Sequence, residues 1–130
     1  MLIRFVTFKI DSDSHQEEGV FTAVYTLLDE GRLPDYELEQ INNLLRWFNN
    51  NLKAPDRLTR STRPHSPARA ICWIKDSATD HIEKLWQIVI VLENNDVQTR
   101  IIKTDRPGYI SYEDEFQVAA EPFKEGTYQY

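Results

Sequence analysis

The first apolar positions of the chain follow a strand-like run. Residues 2–10 are nearly continuous in apolar character, and Phe5, Val6 and Phe8 are good strand formers. A run of this kind is typical of a strand that is covered on both faces. Residues 11–18, which follow, are polar and rich in turn-forming side chains.

Two helices are predicted next. Apolar residues recur at helical spacing from Val20 to Leu28, and Gly31 is a natural C-terminal stop. A second apolar stripe ends near Leu52, and Pro34 stands at its expected first helical position, where proline is well tolerated. Because the connection between the two stripes is short, we expect an antiparallel helical hairpin.

Residues 54–69 break this regular pattern. The stretch contains three prolines, several hydroxyl side chains and almost no apolar residues. Since proline denies the backbone a regular hydrogen-bond ladder, we predict an exposed loop. The loop would join two halves of one domain. A linker between two sub-domains is the alternative, but each half is too small to favour it.

The second half of the chain predicts a strand, a helix and three further strands. Residues 70–75 have the composition of a buried strand. Ser77 and Asp80 resemble a capping box at the start of a helix whose apolar stripe reaches Leu92. The three short strands are predicted at about 97–103, 108–113 and 116–121.

The predicted fold class is therefore α+β, in the order β-α-α-loop-β-α-β-β-β. We expect a mostly antiparallel sheet with three helices packed on one face. Pro107-Gly108 favours a type II turn, in which glycine supplies the positive φ. Residues 1–130 are interpreted as a single domain with an exposed Pro/Arg-rich loop at 54–69 and a frayed tail at 124–130.

Charge and cysteine content exclude several classes of function. The formal net charge of −6 argues against a general polyanion binder, so nucleic acid is possible only at a local positive patch and is not favoured. A single cysteine, Cys72, cannot form an internal disulfide or a multi-thiolate zinc site. The N-terminal run and the apolar run at 88–92 are too short for a signal peptide or a membrane span. We therefore expect a soluble, cytoplasmic protein with no membrane partner.

Positive charge is concentrated in the middle of the chain, between two net negative segments. The candidate anion-binding residues are Arg57, Arg60, Arg63, His65, Arg69 and Lys75. Arginine side chains bind phosphate or carboxylate in a bidentate manner, so a nucleotide, a nucleic-acid phosphate or an acidic protein could dock there. The alternative is a solvated loop whose charges offset the acidic body of the protein.

Three carboxylates stand together at the predicted tip of the last hairpin. Glu113, Asp114 and Glu115 are candidate acidic or metal-binding residues, since hard cations such as Mg²⁺ take oxygen ligands. Alternate strand residues face opposite sides, however, so the three side chains need not converge. The alternative is an exposed turn that blocks edge-to-edge aggregation. No motif in the chain predicts a resident metal or cofactor.

Two further candidates involve a thiol and the aromatic residues. Cys72 with His81 and Lys75 could form a reactive thiol, because a thiolate needs a base or a positive neighbour. The apolar strand around Cys72 favours a buried structural cysteine instead. Tyr109, Tyr112 and Phe116 could form a stacking platform for single strands, but their acidic neighbours favour core and cross-strand packing.

The carboxy-terminal half also carries distinctive runs. It reads RAICWIK, then DHIEKLWQIVIVLENNDV, then RPGYISYEDEFQVAAEPF, of which the last is the most distinctive. These runs resemble a family of short, uncharacterised bacterial proteins. The resemblance implies a bacterial, cytoplasmic protein with no established activity, so no catalytic residue is carried over.

The absence of catalytic motifs and the segregated charge favour a non-enzymatic protein-interaction module. It would bind another protein or dock head to tail with a copy of itself. The alternative is a small enzyme or a nucleotide- or nucleic-acid-binding protein. That protein would hold phosphate with the basic loop 57–69 and use the acidic hairpin 113–115 as base or metal ligand, which requires the two to lie close together. A third possibility is a small ligand in a pocket between the helical hairpin and the sheet.

Overall fold

The computed structural model describes residues 1–8, 17–53 and 70–123, with three helices and six strands in these ranges. The helices are α1 (Val20–Glu30), α2 (Asp35–Asn51) and α3 (Thr79–Asn94). The strands are β1 (Leu2–Phe8), β2 (Glu17–Gly19), β3 (Ile71–Lys75), β4 (Thr99–Thr104), β5 (Tyr109–Glu113) and β6 (Gln117–Glu121). The α+β class and the order of the predicted elements are confirmed. The predicted loop at 54–69 and the predicted frayed tail at 124–130 lie outside the described residues.

The sheet is antiparallel throughout and is organised around β1. One edge of β1 pairs with β4 along six residues, from Leu2 opposite Thr104 to Thr7 opposite Thr99. The other edge is shared, because β3 pairs with residues 2–3 and the short β2 pairs with residues 6–8. From β3 the sheet continues through β6 to β5. Among the described strands, β4, β5 and the three-residue β2 each pair with one neighbour, so β4 and β5 are the two long outer strands.

The three helices pack on one face of this sheet. Phe5 and Ile74 project from the sheet into a core that also contains Ile41, Ile88 and Leu92 from the helices. The three helical side chains are fully buried, and burial of each stabilises the fold by about 1.5–3 kcal/mol. No helix in the described ranges is long and apolar enough to cross a membrane.

The helix ends agree with the sequence prediction at Gly31 and disagree with it at Ser77. Gly31 ends α1 with φ 63°, and its N–H bonds to carbonyls of the last turn of the helix. The predicted capping box at Ser77 and Asp80 is wrong, because the first residue before α3 is Ala78 and no side chain caps it. A backbone turn sets this start instead, since the Ala78 N–H donates to the Lys75 carbonyl at 2.9 Å. Pro34 precedes α2 rather than forming its first residue.

A buried carboxylate joins α2 to the end of α3. Glu37 lies in the first turn of α2 and is buried. Its carboxylate oxygens accept hydrogen bonds from Asn94 Nδ2 at 3.3 Å and from Asn95 Nδ2 at 3.1 Å. A buried charge is tolerated when such donors surround it, so this contact fixes how the two helices meet.

Candidate functional site

The predicted basic surface falls almost entirely outside the described residues. The positions outside are Arg57, Arg60, Arg63, His65 and Arg69. Lys75, the described member of the group, ends β3, and its Nζ lies 2.6 Å from Oε2 of Glu113 on β5. One predicted basic residue and one predicted acidic residue thus meet on the sheet. Because Glu113 is half exposed, this ion pair stabilises the fold by only about 0–1 kcal/mol.

Asp114 closes the turn between β5 and β6. Its Oδ1 accepts hydrogen bonds from the backbone N–H groups of Phe116 at 2.8 Å and Gln117 at 3.0 Å. Its Oδ2 accepts one from Tyr112 Oη at 2.6 Å and one from Gln117 Nε2 at 3.3 Å. Partial burial alone would raise the pKa of the Asp114 carboxyl, but these hydrogen bonds together bring it below its ordinary value.

Tyr112 and Gln117 connect this turn to the rest of the fold. The hydrogen bond that Tyr112 donates to Asp114 raises the pKa of the phenol, since a phenolate could not donate it. Gln117 is fully buried, and its Nε2 also donates to the Lys53 carbonyl at 2.6 Å, just beyond α2. The predicted acidic hairpin is therefore built into the structure by hydrogen bonds.

The three carboxylates of the hairpin do not form a metal centre. Glu113 pairs with Lys75, Asp114 closes the turn, and Glu115 is exposed. Across the residues with described coordinates, no group of three or more acidic, histidine or cysteine side chains lies close enough to hold a metal ion. Glu113 ends β5, whereas Asp114 and Glu115 lie in the turn before β6, so the three carboxylates do not share one strand face.

Cys72 and His81 make contacts with different groups. The Nε2 of His81 donates to the Asn51 carbonyl at 2.8 Å, because a carbonyl oxygen can only accept. The His81 ring also packs on Phe116, with 4.4 Å between the ring centroids, and on Trp47 at 4.8 Å. Cys72 lies instead beside a cavity at the edge of β3. The arrangement therefore gives His81 a structural role in joining α2, α3 and the last hairpin.

A surface formed by β4 and the outer side of α3 was not predicted from the sequence. Within the described ranges, β4 pairs with β1 alone, which leaves its other edge open there. Beside this edge, α3 exposes Trp86 (45% exposed) and Ile90 (56% exposed), one helical turn apart. Trp86 packs edge-on against Phe5, with centroids 5.3 Å apart, and Phe5 pairs directly with Ile101 of β4. The exposed apolar pair therefore lies next to β4.

Charged groups of both signs accompany this apolar pair. Glu93, near the end of α3, accepts a hydrogen bond from Thr99 Oγ1 at 3.1 Å. Lys103 is exposed and lies on the same face of β4 as Thr99 and Ile101, because alternate strand residues share a face. We call this surface the β4–α3 edge. It consists of Trp86, Ile90, Glu93 and residues 99–104.

A cavity of about 440 Å³ opens where β1 and β3 separate. The β1–β3 pairing covers residues 2–3, and the pairing with β2 begins at Val6, so the backbone of Arg4 and Phe5 borders this gap without a paired strand in the described ranges. Because alternate strand residues face opposite sides, the Phe5 side chain leaves β1 on the helix side and the Arg4 side chain leaves it on the other face of the sheet. We call this space the seam cavity. Most of its wall is apolar and comes from β1, β3, the start of α1 and the helices behind them: Ile3, Phe5, Val20, Phe21, Leu52, Ile71, Ile74 and Leu85.

A few polar side chains also line the seam cavity. Among them are Arg4, Cys72 and Gln117. The amide of Gln117 is engaged by Lys53 and Asp114, whereas Arg4 makes no hydrogen bond or ion pair with the described part of the chain. Burial lowers the pKa of the Arg4 guanidinium, and the nearby Cys72 partly offsets that shift. The sequence signal for this site is a charged residue inside the apolar run LIRFVTF.

Comparisons with known proteins add no function to this geometry. No protein family, curated protein or solved structure matches the chain. The resemblance of the carboxy-terminal half to a family of short bacterial proteins therefore remains a hypothesis.

Proposed function

We propose that this protein is a non-enzymatic interaction module that associates with a second copy of itself through the β4–α3 edge. The observation that carries the proposal is the exposed apolar pair Trp86 and Ile90 beside a strand edge that is open in the described structure. An open strand edge presents backbone donors and acceptors that another strand can pair with. Exposed aromatic and aliphatic side chains next to that edge would supply apolar burial.

Symmetry restricts how two β4 strands would pair. In an isologous pair of antiparallel edge strands, the two-fold axis is normal to the sheet and keeps the helix side of both subunits on the same side. Directly opposite residues of an antiparallel pair share a face. The two-fold axis must therefore pass between two copies of the same residue. Ile101 and Ile102 are the residues at the middle of β4.

Charge complementarity favours the pairing centred on Ile101. In that register Thr99 lies opposite Lys103 of the partner subunit, and Glu93 is hydrogen-bonded to Thr99. The lysine ammonium of the partner would then reach the Glu93 carboxylate, twice per dimer. A register centred on Ile102 would place the same ammonium over the apolar Ile101 instead.

The charged residues of β4 also have a simpler interpretation. Lysine on an outer strand is a common protection against unwanted edge pairing. That interpretation leaves the exposed Trp86 and Ile90 unexplained, whereas self-association accounts for both the apolar pair and the opposite charges. Association state therefore distinguishes the two interpretations.

Other parts of the proposed role rest on the sequence. A single cysteine suits a reducing cytoplasm, and the resemblance to bacterial proteins agrees with that location. A small enzyme or nucleotide-binding protein remains the alternative prediction. It depends on the basic segment 57–69 lying near the hairpin 113–115, and that segment lies outside the described residues.

Sedimentation equilibrium over a range of protein concentrations tests the proposal. We expect wild type to form a dimer, and we expect Ile90→Lys to weaken it about tenfold or more, because a charge replaces an apolar side chain in the interface. Tyr36→Lys is the matched control, since Tyr36 is 72% exposed on α2, away from β4. A wild type that stays monomeric at every concentration, or equal effects of the two substitutions, would contradict the proposal.

A further inference from the structure

We infer that the seam cavity binds a small organic acid, with its carboxylate on Arg4 and its apolar body against the walls of the cavity. This inference is independent of the proposed self-association, because β4 pairs with one edge of β1 and the cavity opens at the other edge. It rests on three observations, which concern the guanidinium, the wall and the volume.

The Arg4 guanidinium is the charged group that defines the ligand. It is partly buried and has no hydrogen-bond or ion-pair partner in the described ranges. A guanidinium carries five N–H donors in a planar fork that fits a carboxylate. A charge that is partly removed from water without a partner costs free energy, and a bound anion would offset that cost. The depressed pKa of Arg4 reflects the same desolvation.

The wall of the cavity defines the rest of the ligand. Phe5, Val20, Phe21 and Leu85 form an apolar wall on the helix side of the sheet, which a ligand held by Arg4 would reach through the gap between β1 and β3. A volume of about 440 Å³ lies within the usual range of small-molecule sites. An inorganic anion would contact Arg4 but leave this surface unfilled. An organic acid with an aliphatic or aromatic body would use both features.

The gap in the sheet explains why such a site exists. Where a strand has its neighbour on each side, side chains fill the space between the strands and the helices behind them. Here β1 changes partner from β3 to β2, and the interval at Arg4 and Phe5 has no described strand opposite it. The cavity therefore follows from the topology of the sheet.

Isothermal titration calorimetry with three probes tests the inference: octanoate, octanol and inorganic phosphate. We expect octanoate to bind, and octanol and phosphate to bind about tenfold more weakly or not at all, because each lacks one of the two features. Arg4→Met should weaken octanoate binding about tenfold or more while octanol binding stays unchanged. Arg46→Met is the matched control, since Arg46 is exposed on α2, and it should bind octanoate like wild type.

The one cysteine of the chain provides a second readout that locates the ligand. Cys72 lines the seam cavity, so bound octanoate should slow its reaction with a thiol reagent in the wild-type protein. This measurement needs no variant and therefore still tests the inference if Arg4→Met fails to fold. Equal binding of octanoate and octanol, octanoate binding that survives Arg4→Met, or unchanged reactivity of Cys72 at saturating octanoate would each overturn the inference.

Discussion

The two outer strands of the sheet use their charged residues in different ways. At the β5–β6 hairpin, Glu113 pairs with Lys75, and the Asp114 carboxylate accepts four hydrogen bonds. At the β4–α3 edge, Lys103 makes no hydrogen bond or ion pair with the described residues, and Trp86 and Ile90 are exposed on α3. The charged groups of the hairpin named here therefore have partners within one chain, whereas Lys103 of the β4–α3 edge has no such partner in the described structure.

This difference shows that a charge cluster in a sequence does not by itself mark a binding site. The run Glu113-Asp114-Glu115 is conspicuous in the sequence, yet its contacts hold the hairpin together. The residues of the β4–α3 edge are dispersed between positions 86 and 104. We therefore expect substitutions in the hairpin to change stability and leave association intact. Substitutions at the β4–α3 edge should do the reverse.

The largest effect on stability is expected at Gly108, before β5. Its φ is +130°, and an added Cβ would lie 2.0 Å from the carbonyl oxygen of Glu121. Gly108→Ala must therefore strain the backbone and displace the end of β6, and we expect the free energy of unfolding to fall by about 3 kcal/mol. Urea denaturation at a fixed, low protein concentration measures this change.

Gly19→Ala is the matched control for that substitution. Gly19 has an ordinary φ of −65°, and no atom lies within 4 Å of an added Cβ. The loss should stay below about 1 kcal/mol. A similar loss in both variants would show that the close approach of Gly108 to β6 does not hold the hairpin in place.

A smaller effect is expected at Asp114. Asp114→Ala removes the acceptor of four hydrogen bonds, and the free energy of unfolding should fall by about 2 kcal/mol. Because the pKa of this carboxyl is lowered in the folded state, its contribution is present at neutral pH. That contribution declines as the pH falls below about 4 and is lost below the lowered pKa.

The pH dependence of the unfolding free energy distinguishes the effect of the Asp114 charge from the effect of the shape of its side chain. Asp114→Asn keeps an acceptor oxygen for the backbone N–H groups but cannot titrate, so it should be less destabilising than Asp114→Ala. Its unfolding free energy should also fall less steeply at acid pH than that of wild type. If wild type and Asp114→Asn decline in parallel below about pH 4, the carboxylate does not stabilise the turn in the way described.

Local sequence patterns predict most of the described elements, but they do not predict the contacts between them. The stripe from Val20 to Leu28 and the glycine at 31 give α1 correctly, because periodicity and positive φ are local properties. The three-residue strand β2 was not predicted, since Glu17-Glu18-Gly19 has no strand pattern and forms only by pairing with residues 6–8 of β1. Backbone hydrogen bonds before α3, rather than the Ser77 side chain, set the start of that helix.

The candidate sites depend on strand order, which no short pattern encodes. Lys75 and Glu113 are far apart in the sequence and meet because β6 lies between β3 and β5. Arg4 faces a cavity because β1 changes partner beside it. Neither fact follows from composition or spacing. Of the six predicted anion-binding residues, Lys75 lies in the described ranges, and it is paired with the Glu113 carboxylate.

The most direct test of the account is a charge-swap cycle at the β4–α3 edge, with the dimer dissociation constant measured by sedimentation equilibrium. Lys103→Glu alone and Glu93→Lys alone each place like charges opposite each other in the Ile101-centred dimer. Each should raise the dissociation constant about tenfold, because the contact occurs twice. The double variant Glu93→Lys/Lys103→Glu should recover the wild-type constant within about threefold. A double variant whose loss of dimerisation free energy equals the sum of the two single-variant losses would contradict self-association through β4. A wild type that forms no dimer would contradict it as well.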